Sequence, residues 1–129
     1  MRLLLDTHVF LWSVTGSERL SATARRQIAA AEAVYISAVS IWEIAIKSRL
    51  GKIEGDVESL EGAIDTSGFL ALAITVRHAS SVTKLPLHHT DPFDRLLIAQ
   101  AFSEPLHLIT ADRAFKAYGG AITVVSPRR

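Results

Sequence analysis

The sequence predicts an α/β fold, a three-layer α/β/α sandwich around a short parallel sheet. Short apolar runs of three to five residues alternate with helical patterns along the chain. Runs that short and that uniformly apolar suit strands buried on both faces, the usual state of a parallel sheet. Parallel neighbours must be joined by crossover segments, and the intervening helices then cover the two faces. With 129 residues and no internal repeat, the whole chain, 1–129, reads as one domain able to bury a full-sized core.

The elements follow in order. Leu3–Leu5 is a short buried strand. Ser21 is placed to cap a helix over about Ala22–Glu32, ahead of a strand at Val34–Ile36. A longer helix covers about Ala38–Leu50, and Gly51 is suited to stop it. Asp56–Asp65 is a further helix and Phe69–Leu72 a further strand. Thr75 caps a helix to about Val82, and Thr83–Thr90, with Pro86 and two histidines, is the longest loop. In the stretch DPFD, Asp91 is an N-cap, Pro92 fits the first helical position, and Asp94 falls where a carboxylate meets the positive end of the helix dipole. That helix reaches Phe102, followed by a strand at Leu106–Ile109, a short helix near Ala114 and a strand at Ile122–Val125.

Composition narrows the class of protein. A 49% hydrophobic content with 21% charged residues excludes a disordered chain. No charge-free apolar run approaches the roughly 18–20 residues of a membrane span, and the start MRLLLDTHVFLW has an early acid and no small-residue cleavage site. Cysteine is absent, which removes disulfides and thiolate metal sites and fits a reducing compartment, so a cytoplasmic location is expected. A net charge of +1 means that any nucleic-acid contact must come from local clusters, such as Arg25–Arg26, Lys47 with Arg49 and Lys52, or Arg95 with Arg113 and Lys116.

Five acids stand where chemistry could use them. Asp6 follows the first strand directly and Asp112 lies three residues beyond Ile109. Capping explains each of them taken singly. In SIWEIAIK, helical spacing puts Ser40, Glu43 and Lys47 on one stripe, either a surface Glu–Lys pair or the wall of a polar cavity. Asp91 and Asp94 are fully accounted for by helix initiation. Capping does not account for the coincidence, because a parallel sheet aligns its strand carboxyl ends along one edge, where sites form as the strand order reverses. Converging carboxylates repel and raise one another's pKa. An all-oxygen set relieved by a divalent cation selects Mg²⁺ or Mn²⁺ over zinc. No Walker A loop or dinucleotide fingerprint occurs, so the chemistry indicated is phosphodiester hydrolysis.

These residues stand in an ordered set, LLLDTHVFLW, ISAVSIWEIAIK, LPLHHTDPFDRLLIAQA and LITADRAF, and over its whole length the chain resembles a PIN domain, specifically the toxin of VapC-type bacterial toxin–antitoxin systems. DPFDRLLIAQA is the most specific of the four. The resemblance implies a metal-binding acidic quartet of Asp6, Glu43, Asp94 and Asp112, with Thr110 beside the site and Asp91 at a position typical of a subgroup. It implies an Mg²⁺- or Mn²⁺-dependent endoribonuclease that leaves 5′-phosphate and 3′-hydroxyl ends, forms homodimers, and is silenced by an antitoxin whose tail enters the active-site groove. Arg95 and Arg113, each next to a proposed ligand, are candidate contacts to RNA phosphates. His88 and His89 read as loop-surface residues, and Trp12 and Trp42 as core or dimer anchors.

Two other metal-using classes fit poorly. A receiver-type signalling module wants an adjacent acidic pair after strand one, and a haloacid-dehalogenase-type phosphatase wants Asp-x-Asp there; this chain has Asp6-Thr7-His8. The serious alternative is a nuclease-like fold that acts mainly as a protein-binding module.

Overall fold

The computed structural model describes residues 1–125; the end of the expected domain, 126–129, lies outside the described residues. Five parallel strands form one sheet: β1 (Arg2–Leu5), β2 (Ala33–Ser37), β3 (Leu70–Leu72), β4 (His107–Thr110) and β5 (Ile122–Val124). Their order across the sheet is β3-β2-β1-β4-β5, with every adjacent pair parallel. The chain therefore builds outward from β1 on one side, then crosses over to β4 and builds outward on the other. The reversal falls between β1 and β4, where Leu5 is in register with Ile109 and the Asp6 N–H donates to the Ile109 carbonyl at 3.0 Å.

Among the described residues six helices connect the strands: α1 (Thr7–Thr15), α2 (Ala22–Ala30), α3 (Ala38–Arg49), α4 (Val57–Thr66), α5 (Val76–Ser81) and α6 (Pro92–Ser103). Short 3-10 turns occupy Val82–Lys84 and Arg113–Tyr118. Side chains alternate across a strand, and β1 divides accordingly. Leu3 and Leu5 join Val9, Phe10, Ala24, Ile28, Ile44, Leu60 and Ile64 on one face. Leu4 joins Leu97, Ile98, Ala101, Leu108 and Phe115 on the other. Two cores on opposite faces of one sheet make the three-layer sandwich that the strand lengths predict. Burying each of these leucines fully contributes about 1.5–3 kcal/mol, so the edge where the strands end rests on a well-packed base. Among the described residues no helix is long and apolar enough to cross a membrane.

The sequence patterning marks no helix between Leu5 and Ala22, yet α1 is there. Its residues, THVFLWSVT, are apolar on several sides and rich in β-branched types, so no clean stripe shows at a 3.6-residue period. The ends define it instead. The Asp6 side chain accepts from the Val9 N–H, and Gly16 closes the helix in the left-handed region at φ 67°. Gly51, at φ 72°, similarly follows the end of α3.

Asp91 caps α6 as its position suggests, its Oδ1 accepting from the Asp94 N–H at 3.0 Å with Pro92 in the first turn. Asp91→Ala is expected to lower stability by about 1 kcal/mol in urea denaturation, while Asp91→Ser, which keeps a cap acceptor, should cost far less. Equal losses in the two variants would show that the cap is not what Asp91 contributes.

Candidate active site

All five acids meet at the β1/β4 switch. A pocket of about 200 Å³ is lined by Asp6, Glu43, Asp91, Asp94 and Asp112, with Thr7, His8, Lys47 and Phe115 completing the wall. The acids arrive from four pieces of backbone, Asp91 and Asp94 sharing the start of α6. Asp6 ends β1 and caps α1, its Oδ1 accepting from the Val9 N–H at 2.9 Å. Asp112 follows β4 and caps the 3-10 turn, accepting from the Ala114 N–H at 2.9 Å. Capping and lining the pocket are thus the same placement, because a cap residue stands where strand passes to helix.

Thr110, buried at the end of β4, ties two of the acids together. Its hydroxyl donates to Asp6 Oδ2 and accepts from the Asp112 N–H, the latter at 3.0 Å. Burial pushes the Asp6 carboxyl above its ordinary range, against the Thr110 and Val9 hydrogen bonds that hold it down.

Glu43 is buried on the inner face of α3. Its Oε1 accepts from the Thr7 hydroxyl at 2.6 Å, and its Oε2 from the Lys47 ammonium at 2.5 Å. Glu43 and Lys47 line the pocket, and the buried Ser40, its Oγ 3.0 Å from Thr7 Oγ1, stands behind that wall. The hydrogen bond to Glu43 raises the Lys47 pKa, and the charges of Glu43, Asp91 and Asp94 raise it further.

Asp94, in the first turn of α6, carries the clearest electrostatic signature. Its carboxyl is pushed up to about 8, first by burial and then by the negative charge of Asp91, Glu43, Asp6 and Asp112. Four neighbouring carboxylates acting on one group mean excess negative charge in a half-buried space, despite Lys47.

The donor chemistry fits a hard divalent cation: several carboxylate oxygens with no sulfur, and a charge excess for a cation to relieve. As placed, however, Asp6, Glu43, Asp91 and Asp112 are each hydrogen-bonded to partners of their own, and the Asp94 carboxyl has, among the described residues, only His89 Nε2 at 3.4 Å. Among the described residues no group of three His, Asp or Glu side chains stands ready to hold one metal ion.

Two expectations for neighbouring residues change, those for Arg95 and His89. Arg95, a candidate phosphate contact, has its guanidinium committed to protein acceptors: the carbonyls of Pro86 and Val82 at 3.0 and 3.3 Å, and the Tyr118 hydroxyl at 3.2 Å. Arg113 is exposed, and its side chain makes no hydrogen bond among the described residues. His89 is not a loop-surface residue. It packs against Phe115 and Tyr118, with Nδ1 2.8 Å from the Tyr118 hydroxyl and Nε2 3.4 Å from Asp94 Oδ2. Of the two readings of Trp42, core or dimer anchor, its 49% exposure removes only the first; its ring meets Phe93 edge-on. Thr7, in the pocket wall, went unnoticed in the sequence, and His89, beside Asp94, was expected on the loop surface. Thr7 had a signal, being adjacent to Asp6 at a strand end, whereas nothing local distinguishes His89 from His88.

This is a parallel α/β fold with its acids gathered at the switch point, and comparison with known proteins places it. The PIN domain model matches residues 3–121, and the chain belongs to the PIN domain family. It is similar to ribonuclease VapC22 of Mycobacterium tuberculosis (strain ATCC 25618 / H37Rv), at 29% identity over 117 residues, covering 89% of this chain and 90% of that protein. Its fold matches the crystal structure of VapBC2 from Rickettsia felis bound to a DNA fragment from their promoter, with a TM-score of 0.69 at 15% identity over 98% of this chain and 99% of that one. It also matches Mycobacterium tuberculosis VapC20, a sarcin-ricin loop cleaving toxin, with a TM-score of 0.61 at 15% identity over 91% and 95% of the two chains.

Proposed function

We propose that this protein is an Mg²⁺- or Mn²⁺-dependent endoribonuclease, the toxin of a toxin–antitoxin pair. The observation that carries the reading is the pocket at the β1/β4 switch, where five carboxylates line one wall and burial with the other four lifts Asp94 to about 8. The similarity to a ribonuclease over most of both chains supports it. In this reading Asp6 and Asp94 are the primary metal ligands, and Glu43 and Asp112 complete the site directly or through water. When bound, a divalent cation supplies Lewis-acid activation of water and of the phosphoryl group.

The chain's own residues do the rest. Thr110 holds the Asp6 carboxylate by one oxygen, and the α1 backbone holds it by the other, so its orientation is set before any ligand arrives. Thr7 and Lys47 do the same for Glu43. Arg113, one residue beyond Asp112 and exposed, is placed to contact a flanking phosphate.

The partner assignment has its own support. A largely apolar groove of about 540 Å³ runs between α3, α4 and β3, lined by Ile36, Ile41, Trp42, Ala45, Ile64 and Leu72. Such a groove suits an apolar segment of an antitoxin. Homodimer formation is part of the same reading and follows from the family resemblance.

Purified protein free of antitoxin is expected to cut RNA internally with Mg²⁺ or Mn²⁺, leaving 5′-phosphate and 3′-hydroxyl ends, and to stop on addition of EDTA. Absence of metal-dependent cleavage across transfer, ribosomal and messenger RNA, in a preparation that still binds a cognate antitoxin, would favour the protein-binding alternative.

A further inference from the structure

We infer that Arg95, Tyr118 and His89 form a hydrogen-bonded relay that fixes the imidazole tautomer and aims Nε2–H of His89 at the Asp94 carboxylate, making His89 a positioning residue. The inference rests on the metal-dependent reading above, because it concerns how Asp94 is held for its task.

The direction of the relay follows from the chemistry of its first member. Arg95 can only donate, and its Nη1 lies 3.2 Å from the Tyr118 hydroxyl oxygen. That oxygen accepts from Arg95, which leaves the Tyr118 proton for the next neighbour, His89 Nδ1, at 2.8 Å. A nitrogen that accepts carries no proton in the neutral ring, so Nε2 carries it. His89 Nε2 is shielded from solvent and has no hydrogen-bond partner among the described residues. Asp94 Oδ2 is 3.4 Å away. That is beyond a good N–H···O bond, and an approach of about half an ångström would make one.

The surroundings hold the ring in this orientation. The Phe115 and Tyr118 rings stand 5.6 and 5.4 Å from it, centroid to centroid. Arg95 immediately follows Asp94 on α6, while Phe115 and Tyr118 belong to the 3-10 turn that Asp112 caps. The relay therefore locks together the two segments that carry Asp94 and Asp112. It also gives Arg95 a task other than phosphate binding. A carboxylate anchored by an N–H on one oxygen offers the other in a fixed direction, the usual way an outer partner tunes a metal-binding side chain.

Two measurements test this. Nitrogen-15 NMR of the imidazole in the metal-free protein should show His89 as the Nε2–H tautomer, and Tyr118→Phe should lose that preference. Mn²⁺ binding followed by electron paramagnetic resonance should weaken about 10- to 100-fold in His89→Ala. His89→Gln, which keeps a side-chain N–H donor, should recover part of the loss, with melting temperatures confirming that each variant is folded. A wild-type His89 in the Nδ1–H form, or Mn²⁺ affinity unchanged in His89→Ala, overturns the relay. If the wild-type protein binds no Mn²⁺ at all, the metal reading fails by itself, and the tautomer alone decides the relay.

Discussion

Asp94→Asn is expected to abolish metal-dependent RNA cleavage, by about a hundredfold or more, while making the metal-free protein more stable at pH 8. Both effects follow from what surrounds the side chain. Its carboxyl is lifted to about 8 by burial and by four neighbouring acids, so an ionised Asp94 costs the fold energy that a neutral amide of the same shape does not. The α6 cap is supplied by Asp91 and survives the substitution. A lost charge at the helix dipole costs about 0.3–1 kcal/mol; relief of repulsion should exceed this and leave a net gain of about 1 kcal/mol by denaturant unfolding. Cleavage falls because an amide is a poor ligand for a hard cation and carries no charge to offset it. If Asp94→Asn retains cleavage and loses stability, Asp94 serves only to start α6.

Metal-free wild-type protein is expected to lose stability as pH rises from about 4 to about 8. Between the ordinary carboxylate value of 3.8 and the folded value of about 8, native Asp94 keeps a proton that the unfolded chain has released. Deprotonation therefore favours the unfolded state across this window. Asp94's contribution is fully present below the unfolded value and is lost as pH passes through about 8. One group contributes a slope of at most about 1.4 kcal/mol per pH unit. Denaturation in the presence of chelator at pH 5, 6.5 and 8 measures it, and Asp94→Asn should flatten the decline. Millimolar Mg²⁺ or Mn²⁺ should oppose the decline at pH 8 by binding the native state alone. A wild-type profile as flat as that of Asp94→Asn, with no response to cation, would mean that the acids do not burden one another.

The fold was legible because its signals are local. Apolar runs such as LLL and VYI cannot be buried on one face only, and caps at Ser21, Thr75 and Asp91 mark where helices begin. α1 escaped because its apolar residues form no stripe, and only Asp6 and Gly16 announce it. The acids could be gathered on paper because strand ends share an edge in a parallel sheet. What chain order could not show is how each is held. That depends on contacts across long separations, such as Thr110 to Asp6 and Thr7 to Glu43, and on the direction in which a long side chain leaves its helix. Arg95 and His89 are the clearest cases. Neighbours in sequence suggested a phosphate contact and a surface loop, whereas their common partner is Tyr118, more than twenty residues further along.

The central claim is that the acids at the β1/β4 switch hold a divalent cation. The most direct measurement is anomalous diffraction from crystals of this protein soaked in Mn²⁺, compared with crystals of Asp94→Asn treated in the same way. The expected result is a Mn²⁺ peak within ligand distance of the Asp6 and Asp94 carboxylates, absent or much weakened in the variant. A wild-type map with no peak among Asp6, Glu43, Asp94 and Asp112, at Mn²⁺ concentrations that support RNA cleavage in solution, would contradict it.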